Sequence, residues 1–303
     1  MFRFSRIFCA AAQFFAVAVV VCASNADHRS RFQAANGAHE LEQAEAILNE
    51  WKAASPGDPE YYIAAANFLL NEERGVSIST KKAVPGDLVV ADQKTGREVG
   101  SVSTSVPSAA AYQQAIGLLK EALSKAPARI DIYLGLATLY QDSGGPGELV
   151  NELSAMAAYA NQHPGTLLYK DGKPYPEPAR ENLSHAISNF ARRCFEAGTK
   201  QGDETFRSLA QLAVNAFPDR EYGYNLMGIY YSTIDKKPRL ALENYERALR
   251  LVPNDSLVWV NVGVVHNMAG EKKEAAEAFS KVIALNNDPD CVKQAEAELA
   301  KLK

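Results

Sequence analysis

The side chains best suited to chemistry are few and scattered. Five histidines stand at His28, His39, His163, His185 and His266. No two have the H-E-x-x-H layout, and none is spaced from a cysteine or acid as zinc ligands are. Gly144-Gly145-Pro146-Gly147 lacks the lysine and hydroxyl of a phosphate-cradling loop. Gly100-Ser101-Val102-Ser103-Thr104 lacks the second glycine of a nucleophile elbow. The carboxylates Glu72-Glu73 and Glu274/Glu277 read as solvated surface, the usual place for acids. Tyr169, Asp171, Lys173 and Tyr175 are the one local group that an enzyme site could use, if a pocket brought a histidine or acid beside them. No catalytic residue, cofactor site or metal ligand is assigned, and the chain reads as non-enzymatic.

The N-terminus reads as a targeting segment. Arg3 and Arg6 precede an apolar run from Ile7 to Cys22 broken only by Gln13, and small residues follow up to Ala26. That layout predicts a signal peptide over 1–26, cut near Ala23–Ala26, and an exported, periplasmic or envelope protein. A retained anchor is the rival, although the run is short of the ~20 residues that span comfortably. Val19-Val20-Val21-Cys22 also resembles a bacterial lipoprotein box, except that Val21 stands where that family has a small residue; lipidation at Cys22 would tie the chain to a membrane by acyl groups. The full chain has 303 residues, 47% of them apolar, and a net charge of −4. Loss of 1–26 removes two arginines and no acid, taking the charge to −6. This balance excludes the basic footprint of a nucleic-acid binder. Cys194 and Cys291 are the cysteines beyond the leader, too far apart in the repeat register for a disulfide.

The elements that must position any site follow from internal repeats. Pro56, Pro127, Pro218 and Pro253 are each followed at six residues by an aromatic, Tyr62, Tyr133, Tyr224 and Trp259. Ten residues after each proline comes a small residue, Ala66, Ala137, Gly228 and Gly263. Five before them stand Trp51, Ala122, Ala213 and Ala248; twelve before, Ala44, Ala115, Phe206 and Ala241. Small residues in mid-helix let two backbones approach, aromatics fill the gaps, and proline ends each second helix. Four copies in one register predict antiparallel helix pairs.

At these residues the chain resembles the tetratricopeptide repeat family, whose period is about 34 residues. The resemblance implies an all-α solenoid of antiparallel helix pairs: about five pairs, a leading helix and a capping helix near 290–302. Departures are Asn287 in place of the closing proline, Val282 in place of a small alanine, and a one-residue longer turn at Lys237-Pro238. His266 falls in an aromatic slot and reads as a packed helix residue. Two stretches interrupt the register. In 75–107, Leu88–Ala91 and Glu98–Val102 flank a glycine-containing turn and predict a β-hairpin. Residues 165–178 predict a smaller hairpin or an extended arm. The expected organisation is therefore 1–26 leader, 27–74 first helices, 75–107 insertion, 108–164 repeats, 165–178 loop, 179–287 repeats and 288–303 cap.

By the same resemblance, first helices line a concave peptide groove. The side chains expected there are Glu60, Ile63, Asn67 and Leu70; Asp131, Leu134, Thr138 and Gln141; Tyr222, Asn225, Ile229 and Ser232; and Leu257, Val260, Val264 and Asn267. None is basic, so the clamp that some members close on a partner's C-terminal carboxylate is not expected. Tyr222, Ile229, Leu257, Val260 and Val264 form an apolar stripe suited to a partner segment; packing against the chain's own cap or next helix is its structural alternative. The expected function is an exported scaffold for a protein or peptide ligand, assisted by the hairpin. Self-association through the stripe, or an anchored assembly role, remains open.

Overall fold

The proline spacing resolves into helix pairs. The computed structural model describes residues 27–79, 88–91 and 97–302; the expected leader, Cys22 and the turn over 92–96 lie outside them. The chain divides into two compact units, one running up to Ser143 and including Lys170–Gly172, the other holding Gly144–Tyr169 and Lys173 onward. The division falls in the Ser143-Gly144-Gly145 turn, where Gly144 takes a φ of +77°.

In the first unit, α1 spans 27–37, followed by α2 (Leu41–Ala54), α3 (Pro59–Glu73), α4 (Ala109–Lys125) and α5 (Ile130–Asp142). α1 stands where the leading helix is expected. It buries Phe32 and Ala35, with Phe32 edge-on to Phe68 of α3 at 5.9 Å. Trp51 is buried and its indole donates to Asp58, the residue that caps α3 through the Glu60 amide. Tyr62, six residues past Pro56, donates its hydroxyl to the Pro56 carbonyl at 2.8 Å. In this repeat the ring folds back to satisfy the turn that the proline opens.

The insertion lies inside the α3–α4 pair. It is a three-stranded antiparallel sheet, larger than the predicted hairpin: β1 (Gly75–Ser79), β2 (Leu88–Ala91) and β3 (Glu98–Ser105), in the order β1-β3-β2. β2 and β3 form the expected hairpin, with a register shift at Val90/Ala91, and β1 adds a strand on the other side of β3. Glu73 fastens its base. The Glu73 carboxylate accepts from the backbone and hydroxyl of Ser108, the N-cap of α4, and the Glu73 carbonyl accepts from Ser105. The amide and hydroxyl of Ser108 hold the Glu73 carboxyl below its ordinary pKa. Glu73 is therefore a structural clasp and not merely a solvated acid.

The second unit begins with α6 (Pro146–Gln162) and a two-strand hairpin, β4 (Leu168–Tyr169) and β5 (Lys173–Pro174). The pairs α7 (Ala179–Glu196) with α8 (Lys200–Ala216), α9 (Glu221–Ile229) with α10 (Pro238–Leu251), and α11 (Ser256–Met268) with α12 (Lys272–Leu285) follow, closed by α13 (Pro289–Leu302). The small positions are buried throughout both units, among them Ala44, Ala115, Ala137, Ala213, Ala241 and Ala248. Trp259 repeats the Tyr62 device, donating its indole N–H to the Pro253 carbonyl. The extra residue before Pro238 is absorbed inside the helix: α9 continues as a π turn over Tyr230–Ile234, where the Asp235 amide bonds to the Tyr230 carbonyl. Asn287 replaces a proline yet closes its loop, accepting from Ser256 and donating to the Asn254 carbonyl. Val282 is tolerated because α12 faces the cap, where Cys291 and Ala295 complete the cluster.

Candidate functional site

The expected groove positions divide sharply once their surroundings are visible. In the first unit, Leu70 is only 5% exposed and belongs to the core, so it offers a ligand no surface. Asn67 is exposed on α3; Ile63, Leu134, Thr138 and Gln141 are half-buried. The Thr138 hydroxyl is turned back onto its own helix, donating to the Leu134 carbonyl. Glu60 and Asp131 are both held by Arg129, whose side chain is 4% exposed. Arg129 meets Asp131 through two parallel bonds of 2.8 Å, and Arg29 approaches Glu60 from 3.5 Å. Burial works against the guanidinium charge, but the bonds and attraction of Asp131 and Glu60 outweigh it and raise the Arg129 pKa. These carboxylates are thus neutralised from within the protein. Arg129, which the repeat register did not single out, links α3 to the start of α5.

In the second unit, Val260 is 1% exposed and Ser232 is buried; neither lines an accessible face. Val260 packs with Phe279, Val282, Cys291 and Ala295, and Val264 leans on the same cluster. Ile229 packs partly against the α10–α11 core. The apolar stripe is therefore broken by the chain's own cap and next helix, as its structural alternative requires. What stays accessible is a more polar set. Leu257 is 50% exposed; Tyr222, Asn225 and Asn267 are half-buried.

Two residues absent from the expected set complete this face. Asn261 on α11 donates its amide to the Asn225 side-chain oxygen on α9 at 3.0 Å, joining consecutive first helices. His185 of α7 lies 5.3 Å from the Tyr222 ring. An asparagine amide has two donors and an acceptor with two lone pairs. The observed bond leaves the Asn225 amide hydrogens and the Asn261 oxygen, a donor–acceptor pair of the kind that matches one peptide group. Asn261 directly follows the buried Val260, and no spacing signal marks it. Carboxylates gather at the neighbouring helix starts. Burial raises the Glu221 pKa, with Asp255 and Glu181 adding to the effect and Arg220 opposing it. Tyr222 is likewise raised, by burial and then by these acids. Among the described residues no cluster of His, Cys, Asp or Glu is arranged to hold a metal, and no helix is long and apolar enough to cross a membrane. Cys194 and Cys291 are buried and stand outside any disulfide among the described residues, and His266 bonds to Glu271 at 2.6 Å.

The family model for the tetratricopeptide repeat matches residues 236–289, which hold α10, α11 and α12. That stretch carries the tetratricopeptide repeat. Such repeats are scaffolds for protein–protein interaction and are typically non-enzymatic. No curated protein matches the chain. Solved structures with a similar arrangement include YrrB, a tetratricopeptide-repeat protein with an unusual peptide-binding site, at 13% identity over 82% of this chain and 97% of that one, TM-score 0.41. MamA is similar at 18% identity over 63% and 88%, TM-score 0.38. The pilF protein of Pseudomonas aeruginosa is similar at 18% identity over 63% and 79%, also with a TM-score of 0.38.

Proposed function

We propose that this tetratricopeptide-repeat protein is an exported, non-enzymatic scaffold of the cell envelope that holds a protein or peptide segment against the first helices of its second unit. The observation that carries this reading is the Asn225–Asn261 pair. It offers backbone recognition that is indifferent to ligand sequence, while the exposed Leu257 and half-buried Tyr222 supply apolar contact beside it. The leader-like segment over 1–26 supports export, and Cys22 supports an acyl-anchored form of the same scaffold.

Crosslinking pull-down from native envelope tests the binding reading, comparing wild type with Asn225→Ala/Asn261→Ala. Loss of the crosslinked partner from a folded variant is the expected result; equal recovery refutes the assignment. Mass spectrometry of the mature N-terminus tests localisation and anchoring separately. A free N-terminus beyond Cys22 supports cleavage without lipid, a diacylated Cys22 supports the anchored form, and an intact Met1 contradicts cleaved export.

A further inference from the structure

A second surface of the second unit stands apart from the first-helix face. Helix α8 packs on α6, α7 and α9 and meets the π turn over 230–234, but has no substantial packing with α10. The result is an open groove of about 720 Å³ with Val150 of α6, Leu212 of α8, and Tyr230 and Ile234 of the π turn among its lining residues. All four are half-buried, so they present apolar surface without being closed off. The π turn creates two of these contacts, and such turns recur at functional sites because they re-aim side chains without breaking the helix.

The groove also carries a poised charge. Arg207 lies over the Tyr230 ring, its guanidinium carbon 5.6 Å from the centroid, and pairs with no carboxylate among the described residues. Asp203 and Glu204 stand four and three residues earlier on the same helix, where ion pairing with Arg207 is sterically available. Glu204 instead faces Lys200 at 3.8 Å. The contact with the tyrosine ring holds the guanidinium at the groove, and its N–H donors suit a carboxylate. Asp203, one turn away, gives the groove an opposite charge at that end.

We infer that this groove docks a short amphipathic helix of a partner protein, its apolar side chains against Val150, Leu212 and Ile234, an acidic residue on Arg207 and a basic residue one turn away facing Asp203. The charge pattern is what selects this occupant. A purely apolar segment would leave Arg207 and Asp203 without counter-charges, and a basic one would meet Arg207 with a like charge. This site is independent of the Asn225–Asn261 face and can fail or succeed without it.

The test is selection of a displayed library of helical peptides on the full-length chain. The expected binders carry an acid flanked by apolar residues at helical spacing. A selected peptide loses at least tenfold in affinity against Arg207→Glu, which is an exposed position and leaves the fold intact by circular dichroism. Replacing the peptide's acid with lysine restores binding to Arg207→Glu, and Asn225→Ala/Asn261→Ala leaves the original affinity unchanged. Absence of enriched peptides, equal binding to Arg207→Glu, failure of the charge swap, or loss of binding in the asparagine variant each overturns the inference.

Discussion

One substitution made at two glycines should move stability in opposite directions. Gly263 lies in the middle of α11, and a Cβ added there would sit 2.5 Å from one ring carbon of Phe279 and 2.8 Å from two others. Ordinary contact begins near 3.4 Å, so ring or helix must shift by nearly an ångström. The ring has nowhere to go: Phe279 is fully buried among Val260, Ala275 and Val282. Overpacking of this kind costs about 1–3 kcal/mol, and here the upper end applies; alanine's better helix propensity returns about 1 kcal/mol. The net expectation for Gly263→Ala is a loss of about 2 kcal/mol. Gly117 is the counterpart on the exposed side of α4, where an added Cβ meets nothing within 4 Å. Gly117→Ala keeps only the propensity gain, about 1 kcal/mol. Urea unfolding followed by far-UV circular dichroism measures both. Gly263→Ala/Phe279→Leu should recover part of the loss, because the partner that clashes has been made smaller. A neutral or stabilising Gly263→Ala, or the same sign at both glycines, would refute the close approach on which the repeat packing rests.

Other outcomes follow from the same structure. Arg129→Met leaves Glu60 and Asp131 without the buried cation between them, and should cost about 3 kcal/mol in urea unfolding; Arg129→Met/Glu60→Leu/Asp131→Leu should recover most of it. Ser108→Ala removes the α4 cap and one bond to Glu73, with an expected loss of about 1 kcal/mol by the same measurement. Glu221 has a pKa raised above its ordinary 4.5, so its ionised form is disfavoured in the folded chain. As pH falls through the raised value the folded state takes up the proton first and gains stability, a gain complete below 4.5. Glu221→Gln should therefore raise Tm at neutral pH, with the advantage disappearing at the acid end of a thermal melting series.

Much of this architecture is legible in the residues because helix-pair packing is local and periodic. The proline-to-aromatic spacing, the small mid-helix positions and the Ser108 start of α4 all reflect contacts within one pair or its turn. Other features depend on neighbours distant in the chain. β1 is five residues long and becomes a strand by pairing with β3, whose residues lie more than twenty positions away. Leu70 and Val260 occupy repeat positions that face outward by register, yet packing by adjoining elements, including the cap in the case of Val260, buries them. The insertion before Pro238 is visible as an extra residue, while its form as a π turn depends on how α9 meets α8 and α10. For the same reason Asn261 and Arg129 emerge only when Asn225 and Glu60 are placed beside them in space.

Binding of a partner segment by the first helices of the second unit can be read at single positions. A photocrosslinking amino acid placed singly at Leu257, at Tyr222 and at the exposed Arg247 of the second helix α10 tests it most directly in living cells. The expected result is a discrete adduct from positions 257 and 222, none from 247, and loss of both adducts in the Asn225→Ala/Asn261→Ala background. An adduct at 247 alone, or adducts at 257 and 222 that persist without the asparagines, would contradict it.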